Sequence, residues 1–382
     1  MVNKFSIYNT ATRKKEVLTD HKVGIYVCGI TPYDTTHIGH AFTFITYDVL
    51  IRYLRFLGRK VTYVQNVTDI DDDILIRAKA TGQNWRSLGD RETRKYLTDM
   101  KDLNMIAPDY YVRATDHIKE VIIIIKRLID DGYAYVRKGS VYFSVKKDPE
   151  FGQRLGKLNY EVMLDIANER GNFPLDPDKN DPLDFVLWQS HKKNEPFWNS
   201  PWGKGRPGWH IECSAMSTKY LGQPFAIHGG GADLKFSHHE AEMSQSERAY
   251  HKKLAKIWMH TAMVYCDGKK MSKSLGNMIF IRDLLKKYSA DIIRWYLLSH
   301  HYRQEWEYQE KEFIRASNEI EKLRKQLDAG KTFEKAGSVE FIDELDDDLN
   351  IPAILKRLPK LTKKNPRMAR IIAEVILGLK FS

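Results

Sequence analysis

Apolar residues recur along this chain with two periods. Val23 to Val27 is a short unbroken apolar run that stops at Cys28-Gly29, which predicts a buried parallel strand leading into a loop. From about His37 to Leu57 the positions Ile38, Ala41, Phe42, Ile45, Val49 and Tyr53 keep helical spacing, and Gly58 closes the run. Lys60 to Val67 alternates as a second strand. Strand, helix, strand in that order predicts the opening of an α/β nucleotide-binding sheet. Further on the pattern predicts a helix from about Ala114 to Asp131, a hairpin from Tyr133 to Val145, a strand over Ala262 to Cys266 and a helical run from Ile281 to Leu298. A Leu-, Ile- and Lys-rich helical bundle then continues to Leu379, interrupted near Gly330 to Gly337 and around Pro352. The acidic run Asp69 to Asp73 would suit magnesium in isolation; before an apolar stretch it reads as a helix start, where carboxylates are favoured.

Composition narrows the class. The 382 residues, 42% apolar and 29% charged, are those of a soluble globular protein of two or three domains. The apolar run Val121 to Ile125 is too short to span a bilayer and the start MVNKFSIYNT lacks a signal-type core, so a cytoplasmic address is expected. Cys28, Cys213 and Cys266 cannot build a disulfide framework. Residues 304–382 carry 15 basic and 15 acidic side chains, so the net charge of +11 belongs to residues 1–303. A basic body suits RNA, ATP or simply a solvated surface.

Candidate chemistry is concentrated between Trp209 and Glu242. Cys213, His238 and Glu242 offer thiolate, imidazole and carboxylate, the usual ligands of zinc. His238 and Glu242 are four apart and would share a helix face. Gly229, Gly230 and Gly231 offer bare backbone that a nucleotide could approach. His37-Ile38-Gly39-His40 falls where a helix begins, and the unpaired N–H groups of a helix start can hold phosphate. Lys269-Lys270-Met271-Ser272-Lys273-Ser274 falls in a polar loop whose lysines could close on a triphosphate. Bland readings stand beside these: Cys28 as a small core residue, Trp209 as packing, Cys266 as structure, and His239 and Glu240 as partners that orient a ligand.

The pair HIGH and KMSKS resembles the class I aminoacyl-tRNA synthetases. YVCGITPYDTTHIGHA, YVQNVTDIDDDI, DFVLW, EPFWNSPWGKGRPGWHIECSAM, IHGGGADL, HHEAE and KKMSKSLGN are similar to the cysteinyl-tRNA synthetase family, across nearly all of residues 5 to 300. The resemblance implies an α/β, Rossmann-type catalytic domain in two halves (1–87 and 201–280), a connective insertion (88–200) and a stem-contact and helical bundle region (281–382) without a full anticodon-binding domain. It implies one zinc ion on Cys28, Cys213, His238 and Glu242, binding the substrate cysteine thiolate. Thr68 and Asp233 would hold the amino acid's polar end and Trp209 would wall its pocket. His37, His40, Lys270 and Lys273 would be catalytic, and Gly39, Gly229 to Gly231 and Lys273 would take ATP with its magnesium. A monomer is expected.

Two branches of the family differ in acceptor. The synthetases transfer cysteine to the terminal ribose of tRNA(Cys); mycothiol-type ligases transfer it to the amine of a glucosaminyl-inositol. Ile30 to Asp34, Asp73, the DKNDPLDF stretch and the short tail after Leu379 resemble the ligase. Glu242, His228 and the basic body point to tRNA, whose phosphates would make binding salt dependent. A non-catalytic paralogue would carry damaged motifs, and these are intact.

Overall fold

The computed structural model describes residues 5–33, 36–271, 275–329 and 342–381. A small hairpin of β1 (Ser6–Asn9) and β2 (Lys14–Val17) precedes β3 (Lys22–Ile30), α1 (Ile38–Phe56) and β4 (Lys60–Val67), the unit expected from the apolar pattern. After α2 (Asp72–Ala80) and α3 (Trp85–Asp102) the chain returns to the sheet as β5 (Tyr110–Arg113). It then leaves through α4 (Ile118–Asp130), the hairpin β6 (Ala134–Arg137) and β7 (Ser140–Phe143), α5 (Tyr160–Glu169), β8 (Phe185–Ser190), β9 (Trp198–Ser200) and β10 (Gly203–Pro207). It comes back as α6 (Trp209–Leu221), β11 (Phe225–Gly231), α7 (Glu240–Tyr250) and β12 (Ala255–Thr261).

Strands β12, β11, β3, β4 and β5 form one parallel sheet in that order. Chain order reverses between β3 and β11, and in open α/β sheets ligands bind at the carboxyl ends of the strands at such a reversal. Strands β6 to β10 form a separate antiparallel sheet. Tyr110–Arg113 is part of the parallel sheet, and the antiparallel sheet extends to Pro207.

The remaining elements are β13 (Val264–Cys266), β14 (Lys269–Lys270), α8 (Ile281–Leu284), α9 (Ala290–Leu298), β15 (Trp306–Glu307), α10 (Glu312–Ala329), α11 (Asp343–Asp346), α12 (Ile351–Lys364) and α13 (Pro366–Arg370). Three sequence expectations change here. The strand expected over 262–266 covers only Val264–Cys266, because a full sheet strand, β12, ends just before it. The helical run 281–298 is two helices. Pro352 starts α12 instead of interrupting it, since a proline in the first turn lacks only an N–H that has no helical partner. The break expected at 330–337 lies outside the described residues.

Alternation along β3 sends Val23, Ile25 and Val27 to the α1 face and Tyr26 and Cys28 to the α6/α7 face. The C-terminal helices share the α1-side core, so they are continuous with the parallel-sheet body. Arg294 on α9 is buried and seals this contact, paired with Asp48 on α1 and donating to the carbonyls of Leu103 and Leu377.

Candidate active site

Sheet register aims the first cluster. The ladder between β3 and β4 breaks between Val27 and Ile30, where Gly29 is forced: a Cβ there would lie 1.7 Å from the carbonyl oxygen of Asn66. Such an irregularity turns a strand end, and Cys28 faces α6 and α7 from it. Cys28 Sγ lies 3.8 Å from Cys213 Sγ and 3.5 Å from Glu242 Oε1, and His238 Nε2 lies 3.1 Å from the same oxygen. All four side chains are buried. A tetrahedral ion with ligands at about 2.0 to 2.3 Å needs edges of about 3.3 to 3.8 Å, so the donor set fits zinc in chemistry and comes within a few tenths of an ångström of its spacing. The pairing of His238 with Glu242 is not made on one regular helix. His238 lies in a kinked turn, Lys235–His239, in which Phe236 is extended, and Glu242 lies in the first turn of α7.

A second set also converges: Cys28, His228, His239 and Glu242 offer atoms within 4.8 Å of one another. Within it each histidine touches another member, and His239 also has a partner outside the set. His228 Nε2 contacts Glu242 Oε2 at 3.0 Å, while His239 contacts His260 at 2.8 Å through Nδ1 and Cys28 at 3.3 Å through Nε2. The set with two thiols is the softer site, and the second set shares its Cys28 and Glu242. Burial pushes the Cys28 thiol well up, helped by the neighbouring Cys213, and pushes the Glu242 carboxyl well up. Burial, then the nearby His210 and His228, hold His238 well below the usual imidazole range. These shifts disfavour charge at every one of these three groups, and a divalent cation would reverse that balance for the thiol and the carboxyl.

The other expected residues surround this cluster. Trp209 begins α6 and stacks on His238 with ring centroids 4.2 Å apart. Thr68 follows β4; its hydroxyl accepts from Asn66 Nδ2, whose Oδ1 takes the Gly29 N–H. Asp233 sits just beyond β11 and its charge opposes the desolvation that pushes His40 down to about 4. His37 and His40 stack at 3.8 Å. The first-turn amides of α1 are not open, contrary to the expectation of a ready phosphate site. His37 Nδ1 accepts from the N–H groups of Gly39 and His40, and the Ile38 N–H donates to Ile279. Any phosphate contact there falls to the imidazoles. A Cβ on Gly39 would crowd the His37 ring at 3.0 Å.

The glycine run also has a packing role. Gly229 and Gly230 are buried. A Cβ on Gly229 would meet Tyr47 at 2.4 Å, and one on Gly230 would meet Leu234 at 2.8 Å and His239 at 2.9 Å. Tyr47 reaches from α1 so that its hydroxyl accepts from the Gly230 N–H and donates to the Met259 carbonyl, tying β11 to β12. Of the three glycines, Gly231 alone is partly open. Lys270 is exposed on β14, and Lys273 lies outside the described residues.

Sequence reasoning missed Tyr47, His210 and His260. Tyr47 reads as one more apolar helix position, and the two histidines have no spacing signal. Glu240, read as a partner of a ligand, instead accepts from the N–H groups of Gly152 and Leu155 and pairs with Arg154, clamping the insertion onto α7. Asp71 caps α2 with Asp72 and Asp73 in its first turn, as a helix start should.

Among the described residues no helix is long and apolar enough to cross a membrane. Residues 14–318 match the family described as "tRNA synthetases class I (C) catalytic domain". The chain is 46% identical over 359 residues to a "Cysteine--tRNA ligase" of Escherichia coli O127:H6, covering 91% of this chain and 76% of the relative. It is equally similar to one of Klebsiella pneumoniae subsp. pneumoniae, at 46% with the same coverage. Among solved structures, Mycobacterium tuberculosis methionyl-tRNA synthetase with methionyl-adenylate aligns with a TM-score of 0.65 at 15% identity, over 90% of this chain and 82% of that one. The leucyl enzyme of an Agrobacterium radiobacter ternary complex also gives 0.65, at 10% identity, over 94% and 83%. At these identities the structural likeness is one of fold.

Proposed function

The chain belongs to the cysteine–tRNA ligase family of class I synthetases, and on that premise we propose that it activates L-cysteine with ATP and transfers it to the 3′ end of tRNA(Cys). The observation that carries this reading is the cluster of two thiols, an imidazole and a carboxylate at the carboxyl end of β3, beside the reversal of strand order. Cys28, Cys213, His238 and Glu242 would hold one zinc ion, which when bound supplies a soft Lewis acid that favours a thiol over a hydroxyl. Trp209 walls the amino acid, and Thr68 and Asp233 take its polar end.

The cysteine carboxylate attacks the α-phosphorus of magnesium-bound ATP, and the bond to the bridging oxygen breaks with release of pyrophosphate. His37 and His40 hydrogen-bond the phosphates; at neutral pH His40 is uncharged and can donate through one ring N–H. Lys270 and Lys273 offset the growing negative charge, and Gly231 leaves room beside the nucleotide. The tRNA ribose hydroxyl then attacks the carbonyl carbon and AMP departs. We place this reaction in the cytoplasm and assign it to a monomer, which a sedimentation measurement would test.

Two measurements decide the reading. Pyrophosphate exchange should require cysteine, should not accept serine, and should vanish in Cys213→Ser. Lys273→Ala should lower the exchange rate far more than cysteine affinity. Labelled cysteine should pass to tRNA and not to a glucosaminyl-inositol; label on the amino sugar alone would overturn the acceptor.

A further inference from the structure

The turn between β1 and β2 lies against β12, the outer strand of the parallel sheet. The Thr10 N–H donates to the Trp258 carbonyl, and Asn9 Oδ1 accepts from the Trp258 N–H. These bonds hold the Thr10 hydroxyl 2.9 Å from His260 Nδ1. His260 Nε2 lies 2.8 Å from His239 Nδ1, and His239 Nε2 lies 3.3 Å from Cys28 Sγ. Thr10, His260, His239 and Cys28 thus form one unbroken line from the turn to the thiol, and all are buried.

Such a line has a direction. Of two ring nitrogens 2.8 Å apart, one carries a hydrogen and the other presents a lone pair. Burial holds both imidazoles well below their usual range, so each ring has one N–H and one lone pair. Only two arrangements then satisfy every contact. In the first, the Thr10 hydroxyl donates to His260 Nδ1, His260 Nε2–H donates to His239 Nδ1, and His239 Nε2–H donates to Cys28. In the second all three bonds reverse, and Cys28 must supply an S–H. A thiolate has no hydrogen to give, so the second arrangement would set a nitrogen lone pair against a charged sulfur. We propose that Thr10 is a positioning residue for the metal centre: its hydroxyl donates to His260 and so fixes the tautomers that aim the His239 N–H at the Cys28 thiolate. The inference rests on the zinc reading above and adds the group that orients its thiolate from outside. A charge-assisted N–H bond offsets the cost of burying the thiolate. It also draws charge from the sulfur, so the metal keeps more affinity for the thiolate of the substrate.

The test uses the full chain loaded with zinc and, for spectroscopy, with cobalt(II) in its place. In zinc-loaded wild type carrying isotope-labelled histidine, the ring nitrogen shifts of His239 and His260 should both report the proton on Nε2. Thr10→Val keeps the shape of the side chain and removes the hydroxyl, so metal retention against a chelator should weaken about tenfold. The sulfur-to-cobalt charge-transfer band should move to lower energy, because a sulfur without its N–H bond gives up charge more readily. In pyrophosphate exchange KM for cysteine should rise several-fold, with KM for ATP changed less than about twofold. Thr10→Ser keeps the donor and should restore all three. A proton on Nδ1 of either ring in the zinc-loaded wild type would overturn the assignment. So would a Thr10→Val protein with wild-type metal retention and an unmoved band, or a Thr10→Ser protein as weak as Thr10→Val, since loss would then follow the shape of the side chain and not its hydroxyl. Wild-type protein that takes up no zinc would instead overturn the metal reading on which the assignment rests.

Discussion

Gly229→Ala separates two explanations of the glycine run. If Gly229 were glycine to admit a nucleotide, the substitution should raise KM for ATP and leave stability unchanged. The structure gives another outcome. The new Cβ would lie 2.4 Å from Tyr47 Cζ and 2.5 Å from its hydroxyl, against about 3.5 to 4.0 Å for ordinary contact, so ring and strand must separate by about 1 Å. Tyr47 is fully buried and its hydroxyl is held at 2.9 Å from the Gly230 nitrogen and 2.6 Å from the Met259 oxygen. Moving the ring strands two buried backbone groups, at about 1 to 3 kcal/mol each. Moving the strand instead costs about 1 to 3 kcal/mol of overpacking. A loss near 3 kcal/mol is expected in denaturant unfolding. In a Tyr47→Ala background the clash disappears, so Gly229→Ala should cost less than about 0.5 kcal/mol, a coupling of about 2 to 3 kcal/mol in the double-mutant cycle. A cost below about 1 kcal/mol in the wild type, or the same cost in both backgrounds, would refute the packing argument.

Three further outcomes follow from the same geometry. Glu242→Gln keeps the shape of the cluster but removes the charge that offsets a dication, so purified protein should retain well under half the zinc of wild type by elemental analysis; full occupancy would count against Glu242 as a ligand. Glu240→Gln places an amide N–H against the Gly152 or Leu155 N–H, a mismatch worth about 2 to 4 kcal/mol in a buried site, and hydrogen exchange should speed up first in residues 148–155. Burial lowers His40 to about 4 and His210 to about 3 from an ordinary 6.5. Between pH 6.5 and 4 the unfolded chain therefore binds protons at these two positions that the folded chain does not. Their contribution to stability should fall with acidification, by up to about 1.4 kcal/mol per pH unit for each histidine, and a His40→Gln variant whose slope of stability against pH between 6 and 4.5 matched the wild type would contradict the burial of that ring.

The local pattern of the chain carried much of this architecture. The unbroken apolar run Val23 to Val27, helical spacing from Ile38 to Tyr53 and alternation in Lys60 to Val67 each depend on neighbours a few residues apart, and each was legible with its boundaries nearly right. Motif spacing likewise pointed to Cys213, His238 and Glu242, which lie within 30 residues of one another, and the family resemblance added Cys28. Contact across the fold was not legible. Cys28 meets Cys213 because a strand's two-residue period and a broken register aim its sulfur at α6, and no local property of residues 25 to 30 reports what stands opposite. The same limit hid Tyr47, whose hydroxyl ties two strands more than 180 residues away in sequence. It also hid the packing role of Gly229 and Gly230, because the absence of a side chain looks the same in sequence whether a ligand or a tyrosine fills the space. Short-range periodicity is written into the chain by backbone geometry; which distant side chains share a cavity is decided only when the sheet closes and excludes water.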